Sequence, residues 1–229
     1  MLGCFVTGTD TGVGKTVLTA AIVAALRARG EPVRALKPVI TGLDAATDPD
    51  WPGDHELLAR VAGCDPDRVA LLGYRPAVSP HLAAELSGTP IEPSRLRALI
   101  RAAVRDDETV VVEGVGGILV PFTDAYGVRE LAADLALPLV IAARPGLGTI
   151  NHTLLTLEAA RSADLRVAGV VLTPWPATPT TIEHSNRETI ERLGGAPVTT
   201  LPWLPRADPE LLAAAGEQLP LDRWLAASR

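Results

Sequence analysis

Lysine is almost missing from this chain. Of the 21 basic residues in 229, only Lys15 and Lys37 are lysine, and all the others are arginine. Arginine serves wherever a diffuse positive charge is enough, but it cannot replace a compact ammonium. The two lysines are therefore candidates for chemistry before any motif is considered. Aromatic residues are also few (2 Phe, 2 Tyr and 4 Trp, with 1 Met), so Ala, Val and Leu must fill the interior. Two cysteines, Cys4 and Cys64, with no CxxC and no histidine at metal spacing, exclude a disulfide scaffold and a structural zinc site. Cys4 lies in an apolar run and reads as a small core residue. No stretch reaches the ~18 uninterrupted apolar residues of a membrane span. The opening Met1-Leu2-Gly3-Cys4 has no basic region and no apolar segment of signal length. The expectation is a cytoplasmic protein with no membrane partner. A net charge of −6 also lacks the basic footprint of a nucleic-acid binder.

An apolar fraction of 47% against 21% charged residues excludes global disorder. The length suits one α/β domain over residues 1–229. Strand-like apolar runs fall at Cys4 to Thr7, Val33 to Leu36, Thr109 to Val112, Leu139 to Ala142, Val167 to Leu172 and Val198 to Leu201. Most are short, continuous and Val-rich, as strands buried on both faces are. Helical spacing appears at Lys15 to Arg29 (Gly30 supplying the stop), at Ser94 to Arg105 after Pro93, and at Ile150 to Ser162. The tracts Asp44 to Gly53 and Thr173 to Pro179 read as loops. Alternating strand and helix predicts a mostly parallel sheet with helices on both faces, a three-layer α/β/α architecture. Ligands of such sheets bind beyond the carboxyl ends of the strands, so the informative residues are those that follow each run.

The first run is followed by Gly8-Thr9-Asp10-Thr11-Gly12-Val13-Gly14-Lys15-Thr16 and then a helix. Glycine tolerates positive φ, so the amides around Gly12 and Gly14 can turn inward, and the helix N-terminus adds partial positive charge. Lys15 then reaches the β- and γ-phosphates, and the Thr16 hydroxyl takes a Mg²⁺ position. The strict G-x-x-x-x-G-K-[ST] spacing is not met, because Thr9 stands where its first glycine belongs and Gly8 is one residue early. The strand, glycine loop, Gly-Lys-Thr and helix still predict a P-loop NTPase-like nucleotide site. Glu113 ends the Val110-Val111-Val112 run and can complete a hard, oxygen-preferring Mg²⁺ shell. Asp54, at a helix start after Gly53, is a second acidic candidate, though on its own a plain N-cap is the more ordinary reading. Lys37 follows Val33 to Leu36 and precedes Pro38, on the same sheet edge as the phosphate loop. An ammonium there can stabilise charge developing at a γ-phosphate.

In order along the chain, Thr7 to Thr16, Leu36-Lys37-Pro38-Val39 with Thr41-Gly42, Val112 to Gly117, Gly146-Leu147-Gly148-Thr149-Ile150-Asn151-His152-Thr153 and Leu201-Pro202-Trp203-Leu204 resemble dethiobiotin synthetase. The Thr-Pro-Trp-Pro stretch at residues 173–176 is similar to the actinobacterial-type enzymes. The resemblance implies an ATP-dependent ligase that carboxylates 7,8-diaminopelargonic acid with CO₂ and closes it to a cyclic urea, through a carbamate and a carbamic–phosphoric anhydride. It implies catalytic roles for Lys37, Lys15 and Thr11, and Mg²⁺ held by Thr16, Asp54 and Glu113. Nucleotide contacts would come from Gly12, Val13, Gly14, Lys15, Thr16, Val17, Asp54, Glu113, Gly114, Val115, Gly116, Thr173, Pro174, Pro202, Trp203 and Leu204. Substrate contacts would come from Thr41, Ser79, Leu147, Gly148, Thr149, Ile150 and Asn151, the last five given across a homodimer interface. His55, His81, His152 and His184 lack metal spacing and are expected to be structural or exposed.

In one respect the sequence departs from that pattern. Many members place Asn after the fifth strand to read adenine, whereas here Leu172 is followed by Thr173-Pro174-Trp175. A hydroxyl reads a base less sharply than an amide, so nucleotide choice is expected to be relaxed, CTP included. Two rivals fit the loop less well. Partner-positioning ATPases of the related class carry a lysine two residues before the middle glycine, where this chain has Asp10. Amidotransferase-type synthetases acting on corrins add a glutaminase domain that this chain has no room for.

Overall fold

Six apolar runs become the six strands of one parallel sheet. The computed structural model describes residues 1–45, 48 and 50–225, so residues 46, 47 and 49 of the expected 44–53 loop, and 226–229 of the expected domain, lie outside it. The described elements are β1 (Leu2–Gly8), α1 (Lys15–Ala28), β2 (Val33–Leu36), β3 (Val39–Thr41), α2 (Asp54–Ala62), β4 (Leu72–Tyr74), α3 (Pro80–Leu86), α4 (Pro93–Ala103) and β5 (Thr109–Gly117). They continue with β6 (Pro121–Thr123), β7 (Tyr126–Gly127), α5 (Val128–Leu135), β8 (Leu139–Ala143), α6 (Thr149–Arg161), β9 (Val167–Trp175), α7 (Thr181–Gly194), β10 (Val198–Pro202), α8 (Pro209–Gly216) and α9 (Leu221–Leu225). The sheet order is β10-β9-β8-β1-β5-β2, with every pair parallel. All six strands therefore present their carboxyl ends at one edge.

The strands alternate between two cores, as a period of two requires. Cys4, Val6, Val111, Val140, Ala142 and Val171 face a layer in which α1, α2, α8 and α9 place Leu18, Leu57, Leu212 and Trp224. Phe5, Val110, Val112, Ile141, Val170 and Leu172 face the opposite layer, where α4, α5, α6 and α7 place Leu96, Leu131, Leu157 and Ile190. The three-layer α/β/α expectation is met. Cys4 is fully buried among these residues, and burial pushes its thiol up to about 12. With so much alanine and glycine, helices approach closely: at Gly216, in α8, a Cβ would lie 2.0 Å from the carbonyl oxygen of Ala21 in α1.

Two strands run further than their apolar runs. β5, expected to stop at Val112, continues to Gly117, because Glu113 still pairs with Val6 and Gly117 reaches Gly8 across a bulge. Gly114 permits this: a Cβ there would press the Phe5 ring at 3.1 Å. β9 runs on through Thr173, Pro174 and Trp175, the first part of the expected loop, because Trp175 pairs with Pro202. α4 ends at Ala103 rather than Arg105, since Val104 is extended.

At the opposite edge of the sheet, β2 supplies the buried half of a largely buried ion pair. Arg34 donates to both carboxylate oxygens of Glu108, at 2.8 and 3.3 Å, and Glu108 also accepts the backbone N–H of Arg105 at 3.0 Å. Burial alone would raise the Glu108 pKa, but the Arg105 N–H and the Arg34 guanidinium hold it below the ordinary carboxylate range. Its stabilising contribution is thus complete above the unfolded value and is lost as pH falls through the lower folded value. Glu108→Gln should cost about 3 kcal/mol at neutral pH, the scale for breaking a buried pair, and should flatten the acid limb of stability. Urea unfolding from pH 7 into the acid range checks this, and an acid limb unchanged by the substitution contradicts it.

Candidate active site

Beyond Gly8 the chain leaves the sheet, with the N–H of Thr9 bonded to the carbonyl of Ala142 at 3.0 Å, and re-enters order as α1 at Lys15. Gly12 and Gly14 stand at φ 69° and 90°, the left-handed region that glycine occupies without strain. Among the described residues the N–H groups of Gly12, Val13 and Gly14 meet no protein acceptor, and α1 has no side-chain cap. A loop of unpaired amides at a helix N-terminus is an anion site. Val13 contributes backbone only, its side chain being buried. Lys15 is 5% exposed, and its Nζ donates to the carbonyl of Asp10 at 2.8 Å. Burial holds its pKa below the ordinary lysine value against the pull of Glu113, and the charge of Lys37 pushes the same way.

Lys37 arrives from β2. Its N–H turns away from the main sheet to the carbonyl of Val69, at 3.0 Å, and the chain then pairs as β3 with β4. The side chain is buried at the carboxyl edge of the sheet. Nζ donates to Glu113 Oε1 at 2.8 Å and to the carboxylate of Asp54. Thr16 Oγ1 donates to the same Glu113 oxygen at 2.9 Å, while Glu113 Oε2 is buried without a partner. Burial alone would lower the Lys37 pKa, but Glu113 and Asp54 outweigh it and hold the ammonium above the ordinary lysine range. Asp54 is held below the carboxylate range, since the charge and hydrogen bond of Lys37, with help from Thr16, outweigh its burial. Asp54 is the first residue of α2; Gly53 is the N-cap, with its N–H bonded to Glu56 at 2.9 Å, so the Asp54 carboxylate is free for Lys37.

These groups open on one cavity of about 990 Å³. Thr11, Gly12, Gly14, Lys15, Thr16, Val17, Lys37, Thr41, Asp54, Ser79, Val115 and Gly116, all singled out from the sequence, line it. The two lysines thus converge, each within the other's field. Glu113 and Gly114 lie buried behind the wall. Thr173 is also buried, packed where a Cβ on Gly14 would meet its Cγ2 at 2.9 Å, and the β9–β10 pairing sets Trp175, the residue after Pro174, beside Pro202, with the Trp203 N–H bonded to the Trp175 carbonyl at 2.9 Å. Leu204 is partly buried close by in the chain. Leu147, Gly148, Thr149, Ile150 and Asn151 do not line the cavity. They form the exposed start of α6, where Leu147 is 99% exposed and Thr149 is turned inward.

Sequence reasoning missed part of the wall. His55, expected to be structural or exposed, lines the cavity with its Nδ1 buried and unpartnered, whereas His81, His152 and His184 are exposed. Its position beside Asp54 was the available signal. Ile40, Leu43 and Val78 also line the cavity, and nothing in the local sequence marks them.

A glycine phosphate loop on a parallel sheet, with a lysine and a buried acid behind it, defines a P-loop ATPase. The fold agrees: a ParA family ATPase from Chlorobium tepidum TLS superposes with a TM-score of 0.56, covering 98% of this chain and 96% of that one, at 17% identity. A family model described as an AAA domain matches residues 3–210. The ATP-dependent dethiobiotin synthetase BioD of Haloferax mediterranei is 39% identical over 223 residues, 96% of this chain and 92% of its own length. That of Mycobacterium sp. (strain JLS) is 43% identical over 198 residues, 84% and 83% of the two chains. This chain belongs to the ATP-dependent dethiobiotin synthetase family.

Gly14→Ala would both strain a left-handed backbone and drive a methyl into Thr173. The expected result is nucleotide binding weakened by about tenfold or more, on the scale of ~1–2 kcal/mol for a left-handed non-glycine residue. Titration calorimetry with ATP checks it, and an unchanged Kd in the folded variant rules it out.

Proposed function

We propose that this cavity performs the ATP-dependent carboxylation and ring closure of 7,8-diaminopelargonic acid to dethiobiotin, releasing ADP and phosphate. The observation that carries the reading is the convergence of Lys15 and Lys37, the chain's only amines besides its N-terminus, on one cavity with Glu113 and Asp54 behind them. One amine of the substrate forms an N–C bond to CO₂ and loses a proton, leaving a carbamate. A carbamate oxygen attacks the γ-phosphorus as the bond to the ADP oxygen breaks, giving the mixed anhydride. The second amine attacks that carbonyl carbon, expels phosphate and loses its proton, closing the urea. No protein nucleophile is needed. Because its carboxylates keep Lys37 protonated, it acts as a fixed positive charge rather than a base, stabilising the oxygens that gain charge as phosphoryl transfer proceeds. Lys15 would serve the β,γ-bridge, and Thr11 and Thr41, which line the cavity wall, would hydrogen-bond near the carbamate and the diamine.

The donor set suits Mg²⁺. Glu113 holds a buried oxygen without a partner, and Thr16 and Asp54 add a hydroxyl and a second carboxylate. Among the described residues no three His, Cys, Asp or Glu side chains gather, so phosphate and water would fill the remaining positions, as Mg²⁺ prefers. When bound there it would neutralise charge on the phosphate oxygens.

The nucleotide base would lie toward Thr173, Pro174, Pro202, Trp203 and Leu204. With no amide among them to read adenine, GTP and CTP should compete with ATP. The substrate carboxylate would meet the uncapped start of α6, Leu147 to Asn151, from a partner subunit of a homodimer, and the exposed Leu147 supports that. Among the described residues no helix is long and apolar enough to cross a membrane, and a cytoplasmic location fits the substrates.

Incorporation of labelled CO₂ into dethiobiotin tests the activity directly. Lys37→Gln and Lys37→Arg should each lose at least about a hundredfold in kcat, because arginine keeps the charge but not the compact ammonium. Full turnover in the Arg variant would reduce Lys37 to a diffuse charge. For the base, kcat/KM values for ATP, GTP and CTP should fall within about a hundredfold of one another. A stronger preference for ATP would overturn relaxed nucleotide choice.

A further inference from the structure

The phosphate loop is braced by a residue outside the cavity. Arg144 follows β8, and its Nη2 donates to the carbonyl oxygens of Thr11 at 3.3 Å and Gly12 at 3.4 Å. The guanidinium lies against the loop, since a Cβ on Gly12 would meet Nη2 at 3.4 Å, an ordinary contact distance. The segment just after Arg144 is itself clamped. Asn186, 8% exposed on α7, donates from Nδ2 to the carbonyls of Pro145 at 2.8 Å and Gly146 at 3.1 Å. A chain of hydrogen bonds therefore runs from α7, through residues 144–146, to the loop that cradles phosphate.

The two carbonyls Arg144 holds belong to the peptide units whose other ends are the N–H groups of Gly12 and Val13. Both N–H groups lack a protein acceptor among the described residues. A cation on the oxygen end of a peptide unit withdraws charge from it and makes its N–H a stronger donor, as in any polarised hydrogen-bond chain. It also fixes the plane of a flexible, glycine-rich segment in advance of ligand binding.

We propose that Arg144 is a positioning residue for nucleotide phosphate, acting through the Thr11 and Gly12 carbonyls and held in place by Asn186. This rests on the reading of the loop as the triphosphate site. Arg144 is exposed, so solvent screens its charge and the effect is moderate. In Arg144→Gln, Kd for ATP and KM for nucleotide should rise about three- to tenfold, while kcat and KM for the diamine stay within about twofold. Arg144→Lys should recover part of the loss, because one ammonium keeps the charge without the planar fork. Asn186→Ala should shift Kd for ATP in the same direction by less. Unfolding midpoints of all three variants show that each is folded.

A purely structural brace would instead lower the midpoint and leave Kd for ATP unchanged, which overturns the proposal. So does a loss shared equally by nucleotide and diamine. A wild-type chain that fails to bind ATP sinks the triphosphate reading along with this one, whereas a binding wild type and an equally binding Arg144→Gln variant sink this one alone.

Discussion

Lys37 and Glu113 form a buried ion pair on which both the fold and the site depend. Each is almost wholly removed from water, 5% and 1% exposed, at the edge of an otherwise apolar sheet. Neither charge could be left there alone, since an uncompensated buried charge costs several kcal/mol. The pair joins β2 to β5, Thr16 draws the first turn of α1 to the same oxygen, and Asp54 draws in the start of α2. Four elements are thus brought together at one point. The attraction that joins them also places a protonated amine next to the phosphate loop.

The rest of the architecture serves that point by being parallel. Because all six strands run the same way, each βα connection delivers its residues to the same edge. The phosphate loop follows β1, Lys37 follows β2, Arg144 follows β8, and Thr173 sits near the end of β9. Small residues let these segments come close. Gly14 leaves room for Thr173, Gly114 for Phe5, and Gly216 lets α8 lie on the backbone of α1. An interior built from alanine, valine and leucine needs such close contacts, because there are few large side chains to span gaps.

Reading the chain in one dimension succeeded where local chemistry was decisive and failed where partners were distant. The six main strands were visible as Val-rich runs, since strands covered on both faces need little else. β3 and β4 escaped notice because three residues carry no period, and they pair only because Lys37 leaves the main sheet. The continuation of β5 past Val112 depends on what Gly117 meets in β1, and that of β9 on what Trp175 meets in β10. α7 did carry a readable signal in Thr180 and Glu183, a capping box. α8 carried one in Asp208 before Pro209. His55 on the cavity wall had only its place beside Asp54 to mark it, and the contact of Arg144 with the loop carbonyls had no local signal, since an arginine after a strand is ordinary.

The sequence by itself determined the class of chemistry. A glycine loop ahead of Lys15 and Thr16 is short-range and needs only its own backbone to become an anion site. The scarcity of lysine pointed to Lys37 without any neighbour being known. Tertiary structure alone decided that Glu113 and Asp54 would share one ammonium, that Arg144 would reach the carbonyls of the loop, and that α6 would begin outside the cavity. Those outcomes depend on distances between segments up to 133 residues apart, and such distances exist only once the sheet has ordered its strands.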